Sequence, residues 1–316
     1  MLIHLDTDLG GDPDDACALA MLLGWPGVEL TGITTTIDPG GRRAGYVRHC
    51  LELLGRDDIP VAAGAEVSMT THEVAEPYTD ERFWPPGIAP SPSSPGAALD
   101  LLDASVERGA TIAGIGPCTN LALLELARPG RLGRTSVVQM GGWLEPAAAG
   151  LPTWGPERDF NLQWDARAAQ LVACSAPMTL VTLPVTLKAH LRAADLPRLR
   201  ASGPFGRLVA GQTEAHARDA GKDRLARSFH GLPEDLLNFH YDPVTCAVAV
   251  GWPGATVVER RLRPQMEGDL LRFHDDPDGR VFRVVADLDG PAFSEVWIAA
   301  VEAAQRRCDD SSGCKL

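Results

Sequence analysis

The chain has 316 residues, 45% of them hydrophobic, and a formal charge of −13. That charge argues against a nucleic-acid backbone or an anionic membrane as the main partner, since both reward basic surfaces. No apolar run approaches the ~20 residues that span a bilayer. The start, Met1-Leu2-Ile3-His4-Leu5-Asp6, reaches acid too soon for a signal peptide, and the seven cysteines form no CxxC pair, so a reduced, cytoplasmic setting is expected. Cys308 and Cys314 fall in a polar tail, where a disulfide is an alternative.

Short β-branched runs alternate with helical patterns along the chain. Leu2–Leu5 reads as a strand and Pro13–Leu23 as a helix; Val28–Thr36 and Arg42–Leu54 repeat the pair. Tyr78–Pro95, rich in Pro and Ser, reads as a long loop and a candidate lid over a site. Thr111–Gly116, Ser136–Met140 and Met178–Val185 read as strands, with helices at about Asn120–Ala127 and Asp165–Cys174. Ala201–Leu237 looks helical and polar, and an apolar helix follows from Asp242. Arg280–Asp287 is a late strand, Pro291–Ala304 a closing helix, and the residues after Gln305 a flexible tail. This alternation predicts one α/β domain, residues 1–305, with a mainly parallel central sheet flanked by helices. In such sheets ligands sit beyond the carboxyl ends of the strands.

The polar motifs fall in those places. Asp6, Asp8, Asp12, Asp14 and Asp15 crowd into ten residues, and no Lys or Arg precedes Arg42. Carboxylates packed so closely are costly unless a cation joins them, and oxygen ligands suit calcium or magnesium. A competing account makes Asp12 an N-cap before Pro13, with Asp14 and Asp15 favouring the helix dipole. It leaves Asp6 and Asp8 unexplained. Three further motifs follow: Gly116-Pro117-Cys118-Thr119-Asn120, then Met140-Gly141-Gly142 with Asp159-Phe160-Asn161, then Tyr241-Asp242-Pro243. Each also has a bland reading as a turn or a helix cap.

In this order and spacing the four motifs resemble those of the nucleoside hydrolases, over about Leu2 to Ala304. The resemblance implies a Rossmann-like nucleoside hydrolase fold, a bound Ca2+, a nucleoside-like substrate and a homodimer or homotetramer. It implies that Asp8, Asp15, the Thr119 carbonyl and Asp242 hold the metal. Asp14, Asp38, Met140, Thr153, Asp159 and Asn161 then bind substrate, and Asp8 deprotonates a calcium-bound water that attacks the anomeric carbon. Departures from the family pattern cluster at the sugar and leaving-group positions. The first motif is two residues longer than usual, Asp38 stands where a Gly-Asn is usual, Thr153 where an Asn is usual, and Asp159 where a Glu is usual. Tyr241 replaces a His that often serves as the acid. Tyr241, His240 or His230 could protonate the leaving base, or the leaving group could need no acid; a modified nucleoside fits these departures. Two rivals remain: a phosphatase of the haloacid dehalogenase type, in which Asp6 would be the nucleophile of Asp6-Thr7-Asp8, and a silent calcium- and sugar-binding homologue.

Overall fold

The computed structural model describes residues 1–74 and 83–313, with side chains through Arg307. The first strand, β1 (Leu2–Thr7), is buried along nearly its whole length, as expected of a strand covered on both faces. Helix α1 (Asp14–Gly24) follows, with all its residues buried. It has no polar face because the sheet lies on one side and later helices on the other. Next come β2 (Glu29–Thr35), α2 (Arg42–Glu52), the short β3 (Val61–Ala63), α3 (Ala97–Glu107), β4 (Thr111–Gly114), α4 (Thr119–Ala127) and β5 (Val137–Met140). After them come α5 (Phe160–Trp164), α6 (Ala166–Ser175), β6 (Met178–Val181), α7 (Leu183–Thr186), β7 (His190–Arg192) and α8 (Leu196–Ala201). The remainder is α9 (Pro204–Asp219), α10 (Lys222–Ser228), β8 (Leu236–Phe239), α11 (Tyr241–Ala249), β9 (Ala255–Glu267), β10 (Leu270–Asp275), β11 (Arg280–Leu288) and α12 (Gly290–Gly313).

The main sheet runs β10-β9-β11-β6-β5-β4-β1-β2-β3. From β11 to β3 every pairing is parallel, and β9 is antiparallel to both its neighbours. The expected α/β domain with a mainly parallel sheet is therefore present. One apolar layer gathers α1, α2, α11 and α12, and another gathers α3, α4 and α6. Trp297 of α12, fully buried, donates its indole N–H to the Cys17 carbonyl at 3.0 Å and locks α12 onto α1.

Three differences from the sequence reading have physical reasons. The long strand β9 alternates exposed Arg and Glu with inward residues and has no apolar run to betray it. The stretch expected to be helical to Leu237 ends instead in β8, which pairs antiparallel with β7. Helix α12 continues to Gly313 through residues read as a tail, and Arg307 reaches back to the Leu23 carbonyl at 3.1 Å. Residues 78–82 of the expected lid lie outside the described residues. Its remainder is fastened to α2: the Ser91 amide donates to the Gly41 carbonyl at 2.8 Å. Trp84 stacks on Tyr46 at 4.1 Å and donates to the Gly10 carbonyl at 3.0 Å. Cys17, Cys50, Cys118, Cys174 and Cys246 are free thiols, and the side chains of Cys308 and Cys314 lie outside the described residues.

Candidate active site

A cleft of about 440 Å3 opens at the carboxyl ends of the parallel strands. Asp8, Asp12, Asp14 and Asp15 line it from the turn between β1 and α1, and Asp242 joins them from the first turn of α11. The two segments are tied directly, because the Asp242 amide donates to Asp14 at 3.1 Å. The Thr7 hydroxyl holds Asp15, and its own oxygen accepts the Leu9 amide at 3.2 Å. Gly116, in the turn after β4, passes so close that a Cβ there would stand 2.9 Å from the Asp8 backbone nitrogen. Only glycine permits that approach.

The electrostatics of this wall are those of acid in excess over its cations. Burial pushes the Asp8 carboxyl up to about 6; the Arg43 guanidinium, 3.9 Å away, opposes this, and Asp12 adds to it. Burial also raises Asp14, Asp15 and Asp242 well above the usual range, with Asp12, Asp8 and Asp14 respectively the next contributors. Asp14 Oδ1 is buried with no hydrogen-bond partner. Lys222, nearly buried against the Phe239 ring, lends positive charge to Asp12 and Asp14. Among the described residues no three His, Cys, Asp or Glu side chains form a preformed set for a metal ion. The wall nevertheless fits one chemically: it offers hard oxygen donors, an orphaned carboxylate oxygen and an excess of negative charge.

Asp6 belongs elsewhere. It is fully buried, accepts from Asn120 Nδ2 at 2.8 Å and from the Thr34 hydroxyl at 2.5 Å, and is absent from the cleft lining. Burial lifts its pKa to about 7 against these two hydrogen bonds. So placed, it is not the nucleophile that the phosphatase reading requires.

The second wall comes from the loop after β5 and from helices. Asp159 caps α5: one oxygen accepts the Leu162 amide at 3.2 Å, the other the Gly142 amide at 2.6 Å. Burial raises it to about 6 in spite of those amides. A Cβ on Gly141 would stand 3.0 Å from this carboxylate, and Gly142 follows with φ +97°, a conformation that favours glycine. Asn161 Nδ2 donates to the Ile115 carbonyl at 3.0 Å, spanning the ends of two strand segments. Met140, Asp159, Asn161 and Tyr241 all line the cleft. Burial drives the Tyr241 phenol well above its ordinary pKa, and Asp12 and Asp14 add to the effect.

Several expected site residues lie apart from this cleft. Asp38 is fully buried, and its oxygens accept from the Thr35 hydroxyl at 2.6 Å and from the Arg43 and Ala44 amides at 2.6 and 3.0 Å. It caps α2 and orders Arg43 instead of meeting a sugar. Thr153 is exposed and outside the lining, while its neighbour Trp154 is in it. His240 is fully buried between Phe293 and Trp297, its ring centroid 4.4 Å from that of Trp297. Burial, then His190, depresses its pKa to about 3, so it is no proton donor at neutral pH. The Thr119 side chain is likewise buried outside the lining, and its hydroxyl donates to Asp165 at 2.7 Å.

Asp12, His216, Trp154, Arg158 and Phe160 line the cleft without having been assigned a site role from sequence. For three of them a signal existed, for Asp12 its place in the acidic cluster. Trp154 is an aromatic in a Gly/Pro loop, and Phe160 separates the two polar residues of Asp159-Phe160-Asn161. His216 sits inside a polar helix, where nothing in the sequence singles it out.

Comparison with known proteins decides the family. The family model described as "inosine-uridine preferring nucleoside hydrolase" matches residues 3–295. This chain belongs to the nucleoside hydrolase family. Its curated relatives include the pyrimidine-specific ribonucleoside hydrolase RihA of Salmonella agona, 35% identical over 223 residues, 66% of this chain and 68% of the relative. Among solved structures, a purine-preferring ribonucleoside hydrolase from Gardnerella vaginalis superposes with a TM-score of 0.79 at 23% identity. The match covers 97% of this chain and 100% of that one. A plant nucleoside hydrolase gives 0.77 at 23% identity, covering 96% of this chain and 99% of that one. The family consists of enzymes that act on N-glycosyl bonds, and the two structural matches share this fold. Among the described residues no helix is long and apolar enough to cross a membrane.

Proposed function

We propose that this nucleoside hydrolase cleaves the N-glycosidic bond of a ribonucleoside with calcium as its cofactor. One observation carries the reading: the acids of the β1–α1 turn and Asp242, more than 220 residues apart in sequence, line one cleft opposite Asp159 and Asn161. Asp8, Asp15 and Asp242, which line the cleft, would hold the ion. When bound, it would supply a Lewis acid that grips vicinal hydroxyls and polarises water. Asp8 is the base, since its carboxyl faces the cleft where the ion would hold water. Asp14, whose Oδ1 lacks a partner, offers an acceptor to a sugar hydroxyl. Asp159 and Asn161, fixed by backbone contacts, face the positive charge that builds on the ring as the bond opens. Trp154, Phe160 and Tyr241 form an aromatic flank suited to a planar base.

The test is a panel of purine and pyrimidine ribonucleosides assayed for free ribose, with chelator and then with calcium restored. Ribose release that vanishes on chelation and returns with calcium is expected. Activity on phosphomonoesters with no ribose from any nucleoside would sink the reading.

A further inference from the structure

A base leaving a ribose carries off the electron pair of the broken C–N bond, and unless it is protonated it is a poor leaving group at neutral pH. For an ordinary nucleobase the cleft therefore needs to present a proton. His240 is sealed in the core, and the Tyr241 phenol is shifted away from neutrality. The imidazole that does line the cleft is that of His216, half-buried on the last turn of α9. It meets the Phe83 ring edge-on at 6.3 Å, and its Nε2 faces Asp12 Oδ2 at 3.8 Å.

Asp12 is itself fixed. Its Oδ1 accepts from Asn238 Nδ2 at 3.0 Å and from the Asp14 amide at 2.9 Å, which leaves Oδ2 turned towards His216. Asp12 lies within the stretch that makes the first motif two residues longer than the family pattern. A carboxylate facing an imidazole nitrogen orients the ring towards its task. The contact is longer than a hydrogen bond, as acid–base pairs often are before substrate tightens them.

We infer that His216 is the general acid of this enzyme, protonating the departing base, and that Asp12 is its positioning residue. The assignment rests on the ribonucleoside hydrolase reading. In the step, the C1′–N bond breaks and its electron pair goes to the base. The base takes a proton from the His216 imidazolium. The oxygen of water bonds to C1′, and Asp8 takes the water proton. Solvent reprotonates His216 and deprotonates Asp8.

The experiment compares substrates that do and do not need the acid. Wild type, His216→Gln and Asp12→Asn are assayed in the calcium-loaded state on ribonucleosides and on 4-nitrophenyl β-ribofuranoside, whose nitrophenolate departs without a proton. For His216→Gln the ratio of nucleoside kcat to nitrophenyl kcat is expected to fall ~100-fold or more, within the range typical of general acid catalysis. Asp12→Asn, which keeps the acceptor for the Asp14 amide, should shift the same ratio in the same direction by less. Equal losses on both substrates would reduce His216 to a structural role and overturn the assignment. No loss on nucleosides would overturn it as well. A wild-type protein that cleaves neither substrate defeats the hydrolase reading itself, and the assignment with it.

Discussion

The two walls of the cleft are built by different means. The acid wall stands on the ends of buried parallel strands, with α1 and α11 packed behind it. Its carboxylates come from a single turn and one helix start. The opposite wall takes Trp154 and Arg158 from a loop, Phe160 from a five-residue helix and His216 from α9. The first wall is anchored in the sheet and concentrates charge. The second presents large flat side chains whose replacement disturbs little of the core. The acid wall therefore suits activation of water against the sugar, and the aromatic wall suits the base, which it would hold and, through His216, protonate.

The sharpest way to break this division is Asp8→Asn. If the acid wall is chemical, the substitution lowers kcat ~10³-fold, within the range for loss of a general base, with little change in KM. The calcium-free protein should melt no lower than wild type, since a buried carboxyl of raised pKa has been replaced by a neutral isostere. Steady-state kinetics and a thermal melt check both halves. A rise in KM with the fall in kcat, together with a lower Tm, would mean that Asp8 is structural.

Trp154→Ala probes the other wall. Its ring packs edge-on to Phe239 at 5.8 Å, and the guanidinium of Arg158 lies 5.8 Å from its centroid. Stacking of a base on an aromatic ring contributes about 1–3 kcal/mol, so KM for nucleosides should rise ~10-fold with kcat changing less. A loss confined to kcat would place Trp154 with the chemistry and blur the distinction between the walls.

The contrast also explains what could be read from the sequence. The first part of the acid wall was legible because Asp8, Asp12, Asp14 and Asp15 crowd the turn of one strand–turn–helix unit, where spacing alone places them together; Asp242 was found only through the resemblance. Asp159 and Asn161, some twenty residues beyond their strand, were singled out only through the resemblance to the nucleoside hydrolase motifs. Asp38 misled because it too follows a strand end, and only the fold shows its oxygens taken by α2 amides. His216 was illegible: a histidine in a polar helix carries no mark of what its helix faces, and that depends on contacts between residues more than 200 positions apart. Beyond the site, the parallel strands announced themselves by apolar runs, whereas β9 hid among arginines.

Asp38→Ala tests the ground just behind the acid wall. Loss of a cap typically costs about 1–2 kcal/mol, and Asp38 receives two amides at the start of α2. Urea unfolding should show a loss of that size, with nucleoside KM unchanged. A raised KM with unaltered stability would restore Asp38 to the sugar site.

The smallest effect is expected in the core beneath α11, at His240. Both ring nitrogens lack a hydrogen-bond partner, and the ring is packed by Phe293 and Trp297. Replacing an unsatisfied buried polar ring by a hydrocarbon of similar volume should raise stability by about 1 kcal/mol. His240→Leu is the variant to make, with nucleoside kcat and the nitrophenyl ratio both unchanged. The sign of its pH effect follows from the depressed pKa. Between the unfolded value of 6.5 and the folded value of about 3, the unfolded chain binds the proton and the native one does not. Wild type thus loses stability as pH falls through that window, and the leucine variant loses less. The gain in Tm over wild type should therefore widen as pH falls from 7 towards 4. A gain that is flat with pH, or a collapse in kcat, would show that His240 exchanges protons with the cleft after all.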